Sequence, residues 1–213
     1  MKKILLMAFA VMSLTAVAQH VTPLSIEIAD PKIDSLRTLY LSEPVMYRAS
    51  LDVASQALAK NADELKAAKN QLKVEQAHAK QVAASLKNAT KMAVELRKLY
   101  SKEESELKTM QKAVTRQQEG ISRQTELNQE TRNTYLSFLA KQQSELSYAL
   151  REVADRQRAI ADLESSIQKG QTILQTFNHE TEVKAKDLAA LEALHKQRVA
   201  SVKSEQQAAK KMQ

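Results

Sequence analysis

The chain has 213 residues, is 43% apolar and 27% charged, carries a formal net charge of +7, and contains no cysteine, no tryptophan, two glycines and three prolines. That composition excludes a disulfide framework, a thiol nucleophile and a thiolate metal site. An aromatic share of 4% is small for a compact globular core, and so few turn residues leave room for few turns.

Residues 1–18 read as a secretory signal peptide. Lys2 and Lys3 form its basic start, Ile4 to Leu14 an apolar stretch too short to span a bilayer comfortably, and Ala16-Val17-Ala18 a small-residue site for cleavage after Ala18. The form is that of bacterial Sec export. The expected product is a periplasmic or secreted protein with no membrane span after cleavage.

Residues 19–44 hold all three prolines. Leu24, Ile26 and Ile28 alternate with polar neighbours, which predicts a short extended segment. Asp30 before Pro31 predicts a helix start, with Asp as the cap and Pro at the first helical position. Ile33, Leu36, Leu39 and Tyr40 would share one face of that short helix, and Ser42-Glu43-Pro44 marks the next boundary.

From residue 45 onward there is no proline, and an unbroken helix over that stretch would run roughly 250 Å, so the chain is a rod or folds back. Stepping by seven from Leu51 gives Leu58, Leu65, Leu72, Ala79, Leu86, Ala93, Tyr100, Leu107, Val114 and Ile121. Stepping by seven from Leu139 gives Leu146, Val153, Ile160, Ile167 and Leu174, then Thr181, Leu188, His195 and Val202, in a shifted phase. Apolar residues at this spacing form a seam that another helix must cover. The second seam position of the first stripe is weaker, mixing Ala54, Asn61, Ala68, Glu75, Val82, Ala89, Leu96, Glu103 and Met110. Apolar residues thin out between Thr115 and Thr134, where the two stripes lose phase.

These observations predict an all-α fold of long coiled-coil helices. Helix 1 covers 45–127, a polar turn or stutter 128–135, and helix 2 136–213, two arms of nearly equal length that suit an antiparallel hairpin. A parallel dimer or larger bundle of long helices is the competing arrangement. Of two hairpin registers, the preferred one pairs Leu72 with Leu191, Leu86 with Phe177 and Tyr100 with Leu163. The other pairs Tyr100 with Gly170, Leu107 with Leu163 and Glu75 with His195, and places Tyr135, Leu136 and Phe138 in the loop.

Two Glu-x-x-His spacings, Glu75 with His78 and Glu192 with His195, put carboxylate and imidazole on one side of a helix, as in four-helix di-metal carboxylate proteins. The plainer reading is that these are solvated helix residues or polar seam contacts, because a single hairpin has no source for the second pair of carboxylates. No Gly-rich phosphate loop exists, and paired helices offer neither a nucleophile on a tight turn nor an oxyanion hole. The sequence therefore predicts no enzyme and no cofactor. Lysines are locally in excess over Lys60 to Lys91 and again over Lys196 to Lys211, a charge pattern suited to an anionic envelope surface. Nucleic acid is disfavoured by export and by the lack of interleaved aromatics.

The layout resembles the Skp/OmpH periplasmic chaperones, which also combine a signal peptide, a short strand, basic character and long helical arms. It departs from them in ending at Gln206 to Gln213 with no strand signal, and no residue roles are carried over. The expected function is that of an exported coiled-coil structural or adaptor protein of the bacterial cell envelope, binding a protein partner or itself through its helical faces or its N-terminal segment. A periplasmic holdase for outer-membrane proteins is the alternative, and a di-metal helical bundle the remote one.

Overall fold

The structure, a computed structural model, describes residues 21–211 apart from the side chains of residues 39–42. The expected signal peptide and the contribution of Leu39 and Tyr40 to a helix face lie outside the described residues. Three helices follow an irregular start over residues 21–32: α1 (Ile33–Ser42), α2 (Pro44–Arg123, 80 residues) and α3 (Gln129–Lys211, 83 residues). α2 and α3 pack against each other as a helical hairpin, and no strand occurs among the described residues.

α2 begins at Pro44 because a proline is tolerated at the first helical position, and Glu43 supplies the carbonyl that accepts from Tyr47 N–H at 3.0 Å. The start of α1 differs from expectation. Asp30 does not cap it; the Asp30 Oδ1 accepts the Lys32 N–H at 3.1 Å, and Lys32 turns the chain with a left-handed φ of 44°. The helix then opens two residues later than expected, with the Lys32 carbonyl accepting from Leu36 N–H at 3.0 Å.

The turn is also earlier and shorter than the expected 128–135. α2 ends at Arg123, and residues 129–135 are helical. Asn128 is the reason: its Oδ1 accepts the Thr131 N–H at 2.8 Å, which caps α3 at the position three residues on. The Arg132 guanidinium reaches back to the carbonyls of Gln124 and Leu127, so two of the loop's acceptors are satisfied by the first turn of α3.

Two compact units make up the hairpin, one formed by Val82–Thr172 and the other by residues 21–81 with 173–211. In the first, Val82, Leu86, Ala89, Ala93, Val114, Leu139, Val153, Ile160, Leu163 and Ile167 are buried, while Tyr100, Leu107 and Leu146 are half-buried. The Arg156 guanidinium lies 5.6 Å from the centroid of the Tyr100 ring, and Gln157 donates to Glu104 at 2.9 Å. Tyr100 therefore faces Arg156 and not Leu163 or Gly170, so both expected registers are corrected, the preferred one by one heptad. The physical reason is volume. Counted from Tyr100 and Arg156, Ala93 is level with Leu163, Ala89 with Ile167 and Leu86 with Gly170. Each large residue meets a small one, which keeps the helices close without a void.

In the second unit Leu51, Leu58, Leu65, Leu72 and Leu188 share one core with Tyr47, Val202, Ala209 and Ile28 of the N-terminal segment, and Leu24, Ile26, Ile33 and Leu36 pack against it. Leu174 is half-buried. Thr22 N–H meets Glu75, and Ala29 N–H meets Asn61. Seven residue steps along the segment thus match fourteen along α2, about 21 Å of helix, which requires a nearly extended chain. The segment is a strap along the hairpin.

Candidate functional site

Polar residues buried in a helical seam are costly unless they are hydrogen-bonded, and in the second unit Asn61, Glu75 and Glu205 are bonded to the strap or α1. Asn61, 5% exposed, uses both ends of its amide: Nδ2 donates to the Glu27 carbonyl at 3.0 Å and Oδ1 accepts from Ala29 N–H at 2.8 Å. Its Nδ2 also donates to Glu64 at 3.0 Å. The Arg198 guanidinium donates to the Ile28 carbonyl and lies 3.9 Å from Asp30.

Glu75 accepts from Lys184 Nζ at 2.8 Å on both oxygens, and its Oε1 also takes Thr22 N–H and Gln71 Nε2 at 3.3 Å each. Glu205 accepts from the Arg37 guanidinium and, at 2.7 Å, from the Tyr47 hydroxyl. The Arg37 hydrogen bond, opposed by burial and reinforced by Tyr47, holds the Glu205 carboxyl below the usual glutamate range.

The four residues of the Glu-x-x-His motifs are not brought together. Glu75 is engaged by Lys184, and Glu192 meets Lys69 at 2.9 Å. His195 Nε2 lies 2.8 Å from the Leu58 carbonyl. A carbonyl only accepts, so that nitrogen carries the proton and has no lone pair for a metal. His78 is half-buried. No group of three or more potential metal-ligating side chains occurs among the described residues, so the di-metal arrangement is not assembled from this set.

In the sequence Asn61 and Glu75 stand at the weaker seam position, Glu75 also within a Glu-x-x-His motif, Arg198 and Glu205 read as charges of the basic tail, and Lys184 carries no signal of its own. All five recur at one heptad position of their helices. Polar side chains repeated on a seam position signal that something polar is seated there: strap backbone at Asn61, Glu75 and Arg198, the Glu75 carboxylate at Lys184 and the Arg37 guanidinium at Glu205.

Both units expose large apolar side chains, Val45, Met46, Val53, Val74, Val183 and Leu194 in the second, but the exposed aromatics among the described residues all lie in the first. Arg97 pairs with Glu164 and Arg156 with Glu103 at 3.5 Å across the helices. Glu104 is held below the usual range by the hydrogen bond from Lys108 and then by that from Gln157. Yet Met92, Val94, Leu99, Met110, Tyr135, Phe138 and Tyr148 are exposed, Phe138 by 58% and Tyr148 by 66%. Met92, Leu99 and Phe138 each stand one residue before a member of the apolar stripes. In the second unit that position includes Glu180 and Asp187, which border the strap residues Val21 to Leu24 around a cavity of about 340 Å³.

No protein-family model, curated protein or solved structure matches the chain. No helix among the described residues is long and apolar enough to cross a membrane.

Proposed function

We propose that this chain is an exported, non-enzymatic coiled-coil adaptor of the bacterial cell envelope, and that it binds a protein partner along the helical unit Val82–Thr172. The observation that carries the reading is that the exposed aromatics among the described residues, Tyr135, Phe138 and Tyr148, all lie on this unit, together with Met92, Leu99 and Met110. Exposed aromatic side chains confined to one helical unit suit a protein contact. Met92, Leu99 and Phe138 hold the heptad position that, at Glu180 and Asp187 of the other unit, borders the strap, so a partner segment would do for one unit what residues 21–32 do for the other. Export rests on the Lys2, Lys3, Ile4 to Leu14 and Ala16-Val17-Ala18 pattern, and the lysine-rich stretches suit contact with an anionic envelope surface.

The strap is a poor candidate for the partner-binding element, because Asn61, Glu75 and Arg198 already use its backbone groups. The test is in-cell photo-crosslinking from Leu99 and Tyr148, both exposed, followed by identification of the trapped protein. One recurrent envelope protein is expected. A spread of unrelated outer-membrane proteins would replace the adaptor with a holdase chaperone.

A further inference from the structure

We propose that the groove holding residues 22–29 is an exchangeable site for an extended peptide, and that its second occupant is the same segment of another copy of this chain. Asn61 reads the Glu27 carbonyl and the Ala29 N–H, Arg198 the Ile28 carbonyl, and Glu75 the Thr22 N–H. These are main-chain groups, so the groove recognises an extended backbone, with Ile28 buried and Leu24 and Ile26 packed against the core. A second copy offers the same backbone, the same apolar alternation and the same Arg37 for Glu205.

The hinge needed for exchange is already present. α1 ends at Ser42 and α2 begins at Pro44, so Glu43 alone separates two helices. Pro44 holds that hinge bent, since a proline disfavours helical geometry in the residue before it and its ring clashes with the carbonyl four residues back. Straightening the hinge would fuse α1 and α2 and carry the strap off its own groove. Two straightened copies could then trade straps about a two-fold axis, each groove regaining every contact it had. The inference does not depend on the adaptor reading, because the residues involved lie outside Val82–Thr172.

The test uses the full chain. Light and heavy isotope-labelled preparations are mixed and followed by native mass spectrometry across a concentration series, for wild type and for Pro44→Ala. The expected result is a mixed-isotope dimer whose midpoint concentration falls by roughly tenfold or more in Pro44→Ala. Adding Asn61→Leu to Pro44→Ala should abolish that dimer. If the doubly changed chain loses its helical circular dichroism signal, Arg198→Leu, which removes only the Ile28 and Asp30 contacts, takes its place. A Pro44→Ala chain with the wild-type midpoint overturns the proposal, and so does a dimer that persists when the groove contacts are removed.

Discussion

Lys184 Nζ sits 2.8 Å from both carboxylate oxygens of Glu75, with the two side chains 6% and 7% exposed. Attraction between buried charges is offset by the cost of removing both from water, so such a pair adds little net stability, whereas an orphaned partner is strongly destabilising. Glu75→Gln or Lys184→Met alone should therefore lower unfolding free energy by about 3 kcal/mol in chemical denaturation. Glu75→Leu combined with Lys184→Met should recover most of that loss, leaving mainly the unpaired Thr22 N–H.

Acid should loosen the protein through particular carboxylates. Glu205 is held below the usual value of 4.5 chiefly by Arg37, Glu192 by Lys69 and Glu104 by Lys108. A carboxylate whose folded value is depressed contributes stability that is fully present above its unfolded value and is lost as pH falls through the folded one. Tm followed by circular dichroism should be level from neutral pH to about pH 5 and fall below about pH 4. Glu205→Gln should lower the plateau and make the acid fall shallower.

The register has its own signature in core volume. Ala93 is 1% exposed and level with Leu163, which is fully buried. Ala93→Leu should cost about 1 to 3 kcal/mol by overpacking. Pairing it with Leu163→Ala should return part of that loss. Pairing it with Val153→Ala should instead give a simple sum of the two single effects, because Val153 lies in a different layer of the seam and coupling is confined to residues in contact. Coupling absent between positions 93 and 163 in urea denaturation would refute the register.

Lys32 adopts a left-handed φ of 44° that L side chains disfavour. Lys32→Gly should relieve that conformation and raise stability by roughly 1 kcal/mol, measured as a rise in Tm, because Asp30 still accepts the N–H of residue 32.

The helices and their buried stripe were legible in the sequence, because a spacing of seven survives wherever Leu51, Leu58, Leu65 and Leu72 must face a partner. The register is less legible, because the polar residues Asn128 to Tyr135 make the better loop by composition. Asn128 is instead a helix cap, and the alternation of Ala89 and Ala93 against Ile167 and Leu163 was the stronger signal. The alternation of Leu24, Ile26 and Ile28 predicted an extended segment, but not what would cover it. That information sits far along the chain, at Lys184, Arg198 and Glu205, where no local pattern points back to residue 22.

The strap's bonds to α3 also fix an order of events. Arg37 meets Glu205 across 168 positions of sequence, and Ile28 meets Arg198 across 170. Contacts this distant form late, after the local helices that bring their ends together. Because chains are made from the amino terminus, the strap emerges before α2 and α3 and acquires these α3 partners last. Throughout synthesis and any transit of the chain, its alternating apolar residues are the ones left waiting.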